Sequence, residues 1–243
     1  VSNQATVLDV KIDSVTMNSA LSIAERFIAE KKPHMIATAN AEMVMLAHQD
    51  SELAGILGQS DLVLPDGAGV VWAARYLGYT MPERVAGYDF TQQLLARSAE
   101  KGYRVYMFGS KPEIIEKARE NAITRYPGLN IVGVRHGYYT AADEQAIIDD
   151  VIAKNPDILL VALGIPKQEK WIAKNMYTLK IPINIGVGGT FDGMAGVVKR
   201  APLWMQQANL EWLFRLLLQP QRIVRMRALP EFALRVMLSG KKC

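Results

Sequence analysis

The chain has 243 residues, 50% of them hydrophobic and 21% charged, with a formal net charge of +4; that is long enough for one sizeable core with a smaller appendage and too apolar for disorder. Its one cysteine, Cys243, excludes an internal disulfide and any cysteine-ligated zinc or iron–sulfur centre, and fits a reducing compartment. The opening VSNQATVLDVKIDS has no basic segment followed by an apolar run, and nowhere do about 18 apolar residues follow one another, so neither a signal peptide nor a membrane span is expected.

In chain order, TVLDVKIDSV alternates apolar and polar residues and reads as an edge or hairpin strand outside the central sheet. From residue 34 onward short apolar runs alternate with longer amphipathic ones. HMIATA, DLVLP, RVYMFG, NIVGVR, DILLVALG and INIGVG read as strands. Between them AEMVMLAHQDSELAGILG reads as one helix, GVVWAARYLG as a second, and DFTQQLLARSAEKG, PEIIEKARENAITRYPG, AADEQAIIDDVIAKN and KQEKWIAKNMYTLK as further ones. This order predicts an α/β fold, a Rossmann-like mostly parallel sheet flanked by helices, over residues 1–198.

After RAP, residues 200–202, the character changes. From Lys199 on there are nine lysines and arginines against two acids, whereas residues 1–198 carry 19 basic against 22 acidic residues. The basic character therefore lies in residues 199–243, and an anionic partner is expected there: phosphate, lipid headgroup or nucleic acid. The segment is helical in pattern, broken at Pro220 and Pro230, and greasier than a solvated tail requires, so it either packs on the core or lies on a membrane.

Ligands of open α/β sheets bind beyond the carboxyl ends of the strands, where amides and helix N-termini are free to meet phosphate. The sequences at those ends are TAN, PDG, GSKPE, LGIPKQE and GVGGTFD. Asp66 of PDG can cap the helix that follows or act as a base. Thr38 and Asn40 of TAN can orient a sugar or cap the next helix. Gln168 stands at a helix start where plain capping is an equal alternative.

The turn Gly186, Val187, Gly188, Gly189 lacks dinucleotide-fingerprint spacing and can be a plain structural turn, or it can let a backbone approach phosphate, with Asp192 after it holding ribose hydroxyls. Tyr138, after a strand and a glycine, can stack on a base or simply pack at the rim, as can Tyr139. His34, His48 and His136 have no zinc spacing, and no Asp-x-Asp pair is present to hold a divalent metal on a diphosphate. Cationic side chains and amides are expected to do that work instead.

Together TANAEMV, LPDGAGVVWAARYLG, RVAGYDF, GIPKQEKWI and GVGGTFDGMAGVVKRAPLWMQQANLEWLFRLL resemble the WecG/TagA/CpsF glycosyltransferases, glycosyltransferase family 26, from about residue 10 to the end. The resemblance implies inverting, metal-independent transfer, with no cofactor beyond a UDP-sugar donor. The sugar implied is N-acetylmannosamine, and its acceptor the 4-hydroxyl of N-acetylglucosamine on undecaprenyl diphosphate, a step of wall teichoic acid synthesis. It implies Asp66 as base, Thr38, Asn40 and Gln168 around the reacting sugar, and Arg215, Arg222 and Arg225 reaching the diphosphate. For the donor, the Gly186–Gly189 turn would meet phosphate, Asp192 the ribose and Tyr138 the base.

The partners implied are the donor, the polyprenyl-linked acceptor and a membrane surface met by residues 199–243 on the cytoplasmic side, with no nucleic acid. A homo-oligomer is left open. Relatives that move N-acetylmannosaminuronic acid leave the sugar open as well. Two rival readings are weaker: an NAD-linked enzyme would want its glycine fingerprint after the first strand, and a non-catalytic membrane adaptor leaves Asp66 and Gln168 without a role.

Overall fold

The computed structural model describes residues 3–198, 201–202, 204–205, 211–218 and 228–240. A hairpin of β1 (Gln4–Val7) and β2 (Val10–Asp13) comes first, followed by α1 (Met17–Glu30). Then come β3 (His34–Ala39), α2 (Ala41–Gln49), α3 (Ser51–Gln59), β4 (Leu62–Pro65), α4 (Ala68–Tyr76) and α5 (Gly87–Lys101). The second half holds β5 (Arg104–Gly109), α6 (Pro112–Arg125), β6 (Asn130–Arg135), α7 (Glu144–Lys154), β7 (Ile158–Ala162), α8 (Lys167–Leu179), β8 (Ile183–Gly186) and the short α9 (Thr190–Met194). Two helices follow the core: α10 (Glu211–Leu218) and α11 (Ala228–Leu238).

The fold is α/β. Six parallel strands form the central sheet in the order β4-β3-β8-β7-β5-β6. Because successive side chains of a strand point to opposite faces, each strand feeds two cores. Ile36, Leu62, Leu64, Val105, Met107, Ile158, Leu160, Ile183 and Ile185 pack with α1, α5, α6 and α9. Met35, Tyr106, Phe108, Leu159 and Val161 pack on the other side with α7 and α8, while Ala37, Ala39 and Val63 meet α2, α3, α4 and the hairpin.

The opening segment is a hairpin, turned at Leu8 and Asp9, which have φ of 46° and 68°, the left-handed pair that a two-residue turn demands. It protects the edge of the sheet. Asp13, 1% exposed, accepts the Val63 N–H of edge strand β4 at 2.8 Å, so a carboxylate occupies a backbone donor that an open edge would offer to another chain.

The single helix expected over residues 41–58 is two. Asp50 ends α2 and caps α3, its Oδ1 accepting the N–H of Glu52 and of Leu53 at 3.1 Å each. An aspartate with extended backbone (φ −121°, ψ 98°) satisfies the orphan amides of a new helix better than it continues an old one. Helix α11 packs on the core: Phe232 and Val236 are buried against α2 and α4, while Leu234, Met237 and Leu238 face outward. No helix among the described residues is long and apolar enough to cross a membrane.

Candidate active site

Strands β3 and β4 run in register, Ala39 beside Pro65, and the Asp66 N–H donates to the Ala39 carbonyl at 2.9 Å. TAN and PDG therefore meet at one sheet edge. Gly67, not Asp66, is the N-cap of α4, and among the described residues no side chain caps it. Asp66 Oδ1 instead accepts the N–H of Gly87 at 2.8 Å, the first residue of α5 and 21 positions away. A helix N-terminus favours negative charge, so this contact suits an ionised carboxylate. Glycine at position 87 lets Thr38 come close, because a Cβ there would lie 3.0 Å from Thr38 Cγ2. Thr38, Asp66 and the start of α5 thus converge.

Asn40 is the N-cap of α2, its Oδ1 accepting the Met43 N–H at 3.0 Å. The capping alternative is realised there, beside the turn: a Cβ on Gly67 would stand 3.1 Å from Asn40 Cβ.

Arg84 opens the motif RVAGYDF, where nothing in the local sequence marks it as a site residue. Its Nε donates to the Asp66 carbonyl at 2.6 Å, and its Nη2 meets Glu211 Oε2 at 2.8 Å. Glu211 is 5% exposed and begins α10. One guanidinium thus joins the peptide of Asp66 to the segment beyond the core. Beside it opens a cavity of about 590 Å³ lined by Val71, Trp72, Tyr76 and Pro82 among others.

The other half lies at the ends of β7 and β8, the strands that continue the sheet inward from β3. Gly188, with φ 52°, turns the chain, and its N–H donates to Gln168 Oε1 at 3.1 Å. Gln168 Nε2 donates to Glu169 Oε1 at 2.8 Å. Both side chains are 1% exposed. They fit because Gly186 lacks a side chain: a Cβ there would come within 2.5 Å of Gln168 Nε2 and 2.8 Å of Glu169 Oε1. Burial pushes the Glu169 carboxyl up to about 7, against the opposing pull of the Gln168 amide and its own backbone N–H. Among the described residues its Oε2 has no hydrogen-bond partner.

Val187 donates its N–H to the Val161 carbonyl at 2.8 Å and accepts from Thr190 Oγ1 at 2.6 Å, so the turn is held from both sides. Gly189 caps α9, whose first turn carries Asp192, with Oδ2 3.7 Å from where a Gly189 Cβ would stand. Tyr138 is 64% exposed just past β6, three strand spacings from β8, or about 14 Å. Tyr139 tilts against Phe108 in the core.

The sheet therefore brings Thr38, Asn40 and Asp66 together at β3 and β4, and Gln168 with Gly186, Val187, Gly188 and Gly189 at β7 and β8. Arg215 falls on α10, but its side chain is outside the described residues, as are Arg222 and Arg225 entirely. Among the described residues no group of three or more His, Cys, Asp or Glu is placed to hold a metal ion.

The profile of the glycosyl transferase WecG/TagA/CpsF family matches residues 5–242. The chain belongs to this family. It is 36% identical over 219 residues to an N-acetylglucosaminyldiphosphoundecaprenol N-acetyl-beta-D-mannosaminyltransferase of Bacillus subtilis (strain 168), covering 90% of this chain and 85% of that protein. Proteins with the same name in Bacillus spizizenii and Staphylococcus aureus (strain NCTC 8325 / PS 47) are 34% identical over 226 residues and 30% over 238. The first comparison covers 93% of this chain and 87% of the relative, the second 97% and 93%. A WecG/TagA/CpsF transferase moves a glycosyl group.

Proposed function

We propose that this chain transfers N-acetylmannosamine from its UDP donor to the 4-hydroxyl of N-acetylglucosamine on undecaprenyl diphosphate, with inversion and without a metal. The observation that carries the reading is the Asp66 carboxylate, held on the Gly87 N–H at a helix N-terminus next to Thr38. The three relatives named for this reaction, at 30–36% identity over most of the chain, support the choice of substrates.

In this reading the acceptor oxygen attacks the anomeric carbon from the face opposite the diphosphate. The bond from that carbon to the diphosphate oxygen breaks, and its electron pair leaves with UDP. The hydroxyl proton passes to the Asp66 carboxylate, a general-base step. Thr38, Asn40 and Gln168 orient the reacting sugars. The Gly186–Gly189 turn offers amides to the donor phosphates, Asp192 holds the ribose, and Tyr138 stacks on the base at the far end of the edge.

Residues 199–243 form an appendage to the core of residues 1–198 that docks on the cytoplasmic face of the membrane and brings Arg215, Arg222 and Arg225 to the diphosphate. Charge-assisted contacts of that kind replace a divalent ion on a departing phosphate. The Glu211–Arg84–Asp66 chain of contacts supports this arrangement, since it ties the appendage to the base. So do the outward-facing Leu234, Met237 and Leu238 of α11, an apolar surface a bilayer can cover.

The test is UDP release from UDP-N-acetylmannosamine with a short-chain lipid-linked N-acetylglucosamine acceptor. Wild type turns over and Asp66→Asn does not; full activity in Asp66→Asn would remove the base assignment. A chain ending at residue 198 is expected to bind UDP but turn over poorly, and full activity there would remove the appendage from the site.

A further inference from the structure

Gln168 stands between two backbone elements that the fold could have left independent, the start of α8 and the turn after β8. Its amide has two orientations related by a half-turn, and only one of them works. With Oε1 toward Gly188 it accepts that N–H at 3.1 Å; reversed, an NH₂ would face an N–H. The orientation that accepts from Gly188 turns Nε2 toward Glu169, whose Oε1 takes its hydrogen at 2.8 Å. Neither side chain has room to move away, each being 1% exposed and lying against Gly186.

We propose that Glu169 is a positioning residue for the donor half of the site, holding the Gln168 amide so that it fixes the Gly188 turn. It acts through Gln168 and touches no substrate. The proposal rests on reading the Gly186–Gly189 turn as the donor phosphate turn.

The surroundings of Glu169 say in which form it does this best. Strands β7 (Ile158–Ala162) and β8 (Ile183–Gly186), against which α8 lies, carry no charged side chain. On β3, His34 pairs with Glu30 and Asp61 at the opposite end of the strand. Lys170 of α8 is engaged by Asp50 and by Glu52 of α3, and Lys174 by Glu144 of α7. With no cation facing it among the described residues, burial keeps the carboxyl protonated up to about pH 7. Above that, a buried charge appears with only the Gln168 amide and its own backbone N–H to compensate it, and opening toward water relieves the cost. Opening would release Gln168 and loosen the turn.

The experiment is calorimetric titration of UDP into wild type, Glu169→Gln and Glu169→Leu from pH 5.5 to 8.5, with thermal melts as a folding control. Glu169→Gln keeps the acceptor and cannot ionise; Glu169→Leu removes the acceptor. Leaving a buried donor unmet typically costs enough for about a tenfold loss of affinity, and that is expected of Glu169→Leu, with Glu169→Gln staying near wild type at pH 6. Wild-type affinity should fall, relative to Glu169→Gln, as pH rises through 7; the ratio cancels the titration of UDP itself, whose terminal phosphate has a pKa of about 6.

Three results would overturn the proposal: unchanged UDP affinity in a folded Glu169→Leu, equal losses in both variants, or superimposable pH profiles for wild type and Glu169→Gln. If Glu169→Leu does not fold, the Glu169→Gln profile decides alone. A wild type that binds no UDP would overturn the donor-turn reading and this proposal with it, whereas UDP binding indifferent to Glu169 would overturn this proposal only.

Discussion

Two carboxylates flank the strand-end edge in opposite settings. Asp66 is half-buried, accepts a backbone N–H at the start of a helix, and has an arginine bonded to its own carbonyl. Glu169 is sealed in, with a neutral amide on one oxygen and no partner among the described residues on the other. The first environment supports a charge and the second opposes it. Residue type therefore says little about behaviour at this edge; the donors around the two carboxyls differ, and in the proposed reaction it is Asp66 that takes the proton.

The contrast breaks first at Asp66. Asparagine in its place keeps an oxygen for the Gly87 N–H but cannot accept a proton, so kcat for UDP release should fall by roughly 10²–10⁴ while UDP binding holds. A variant that kept its rate would make Asp66 the structural cap of α5 and nothing more.

At Glu169 the expected effect is on stability. Its carboxyl binds a proton more tightly when folded, at about 7, than at the ordinary 4.5. Between those values the folded chain holds a proton that the unfolded chain has lost. Stability from this group is therefore complete below pH 4.5, declines as pH rises through 7, and is flat beyond, a total on the order of 3 kcal/mol. Chemical denaturation across that range should show the decline in wild type and lose it in Glu169→Gln. Equal slopes would mean that the carboxyl is solvated after all.

The fold was legible because alternation within each strand is a local property: Val105 and Met107 against Tyr106 and Phe108 already separate two faces. PDG, TAN and the glycine turn were legible too, as strand ends. Partners that close across the chain were not. Gly87 reaches Asp66 from 21 residues away, and Glu211 reaches Arg84 from 127. Glu169 looked like any acidic residue in a first helical turn, because what buries it is the missing side chain of Gly186, a glycine that reads in sequence as a turn or as room for a phosphate. The split at Asp50 and helix α1 behind its Thr16 cap were local features overlooked, since an aspartate or threonine opening an amphipathic run is visible as a candidate cap.

Glu211 sharpens the comparison as a third case, a buried carboxylate that does meet a cation. In a double-mutant cycle of Arg84→Met and Glu211→Gln, turnover should show a coupling of about 1–2 kcal/mol, because the pair is largely desolvated and one member also holds the Asp66 peptide. Additive effects would mean that docking of α10 and placement of the base are independent.

The smallest expected effect separates cap from contact at Asn40. Its Oδ1 is spent on the Met43 N–H, so Asn40→Ala should cost about 1 kcal/mol of stability, read by denaturant midpoint. Serine caps nearly as well and has no amide. If Asn40 serves only α2, Asn40→Ser should match wild type in both stability and turnover. If its NH₂ also meets a reacting sugar, Asn40→Ser should keep the stability and lose rate. Both rates falling only in step with stability would leave Thr38 and Asp66 as the working pair of that strand end, and would put Asn40 among the residues that merely keep the TAN turn in place beside them.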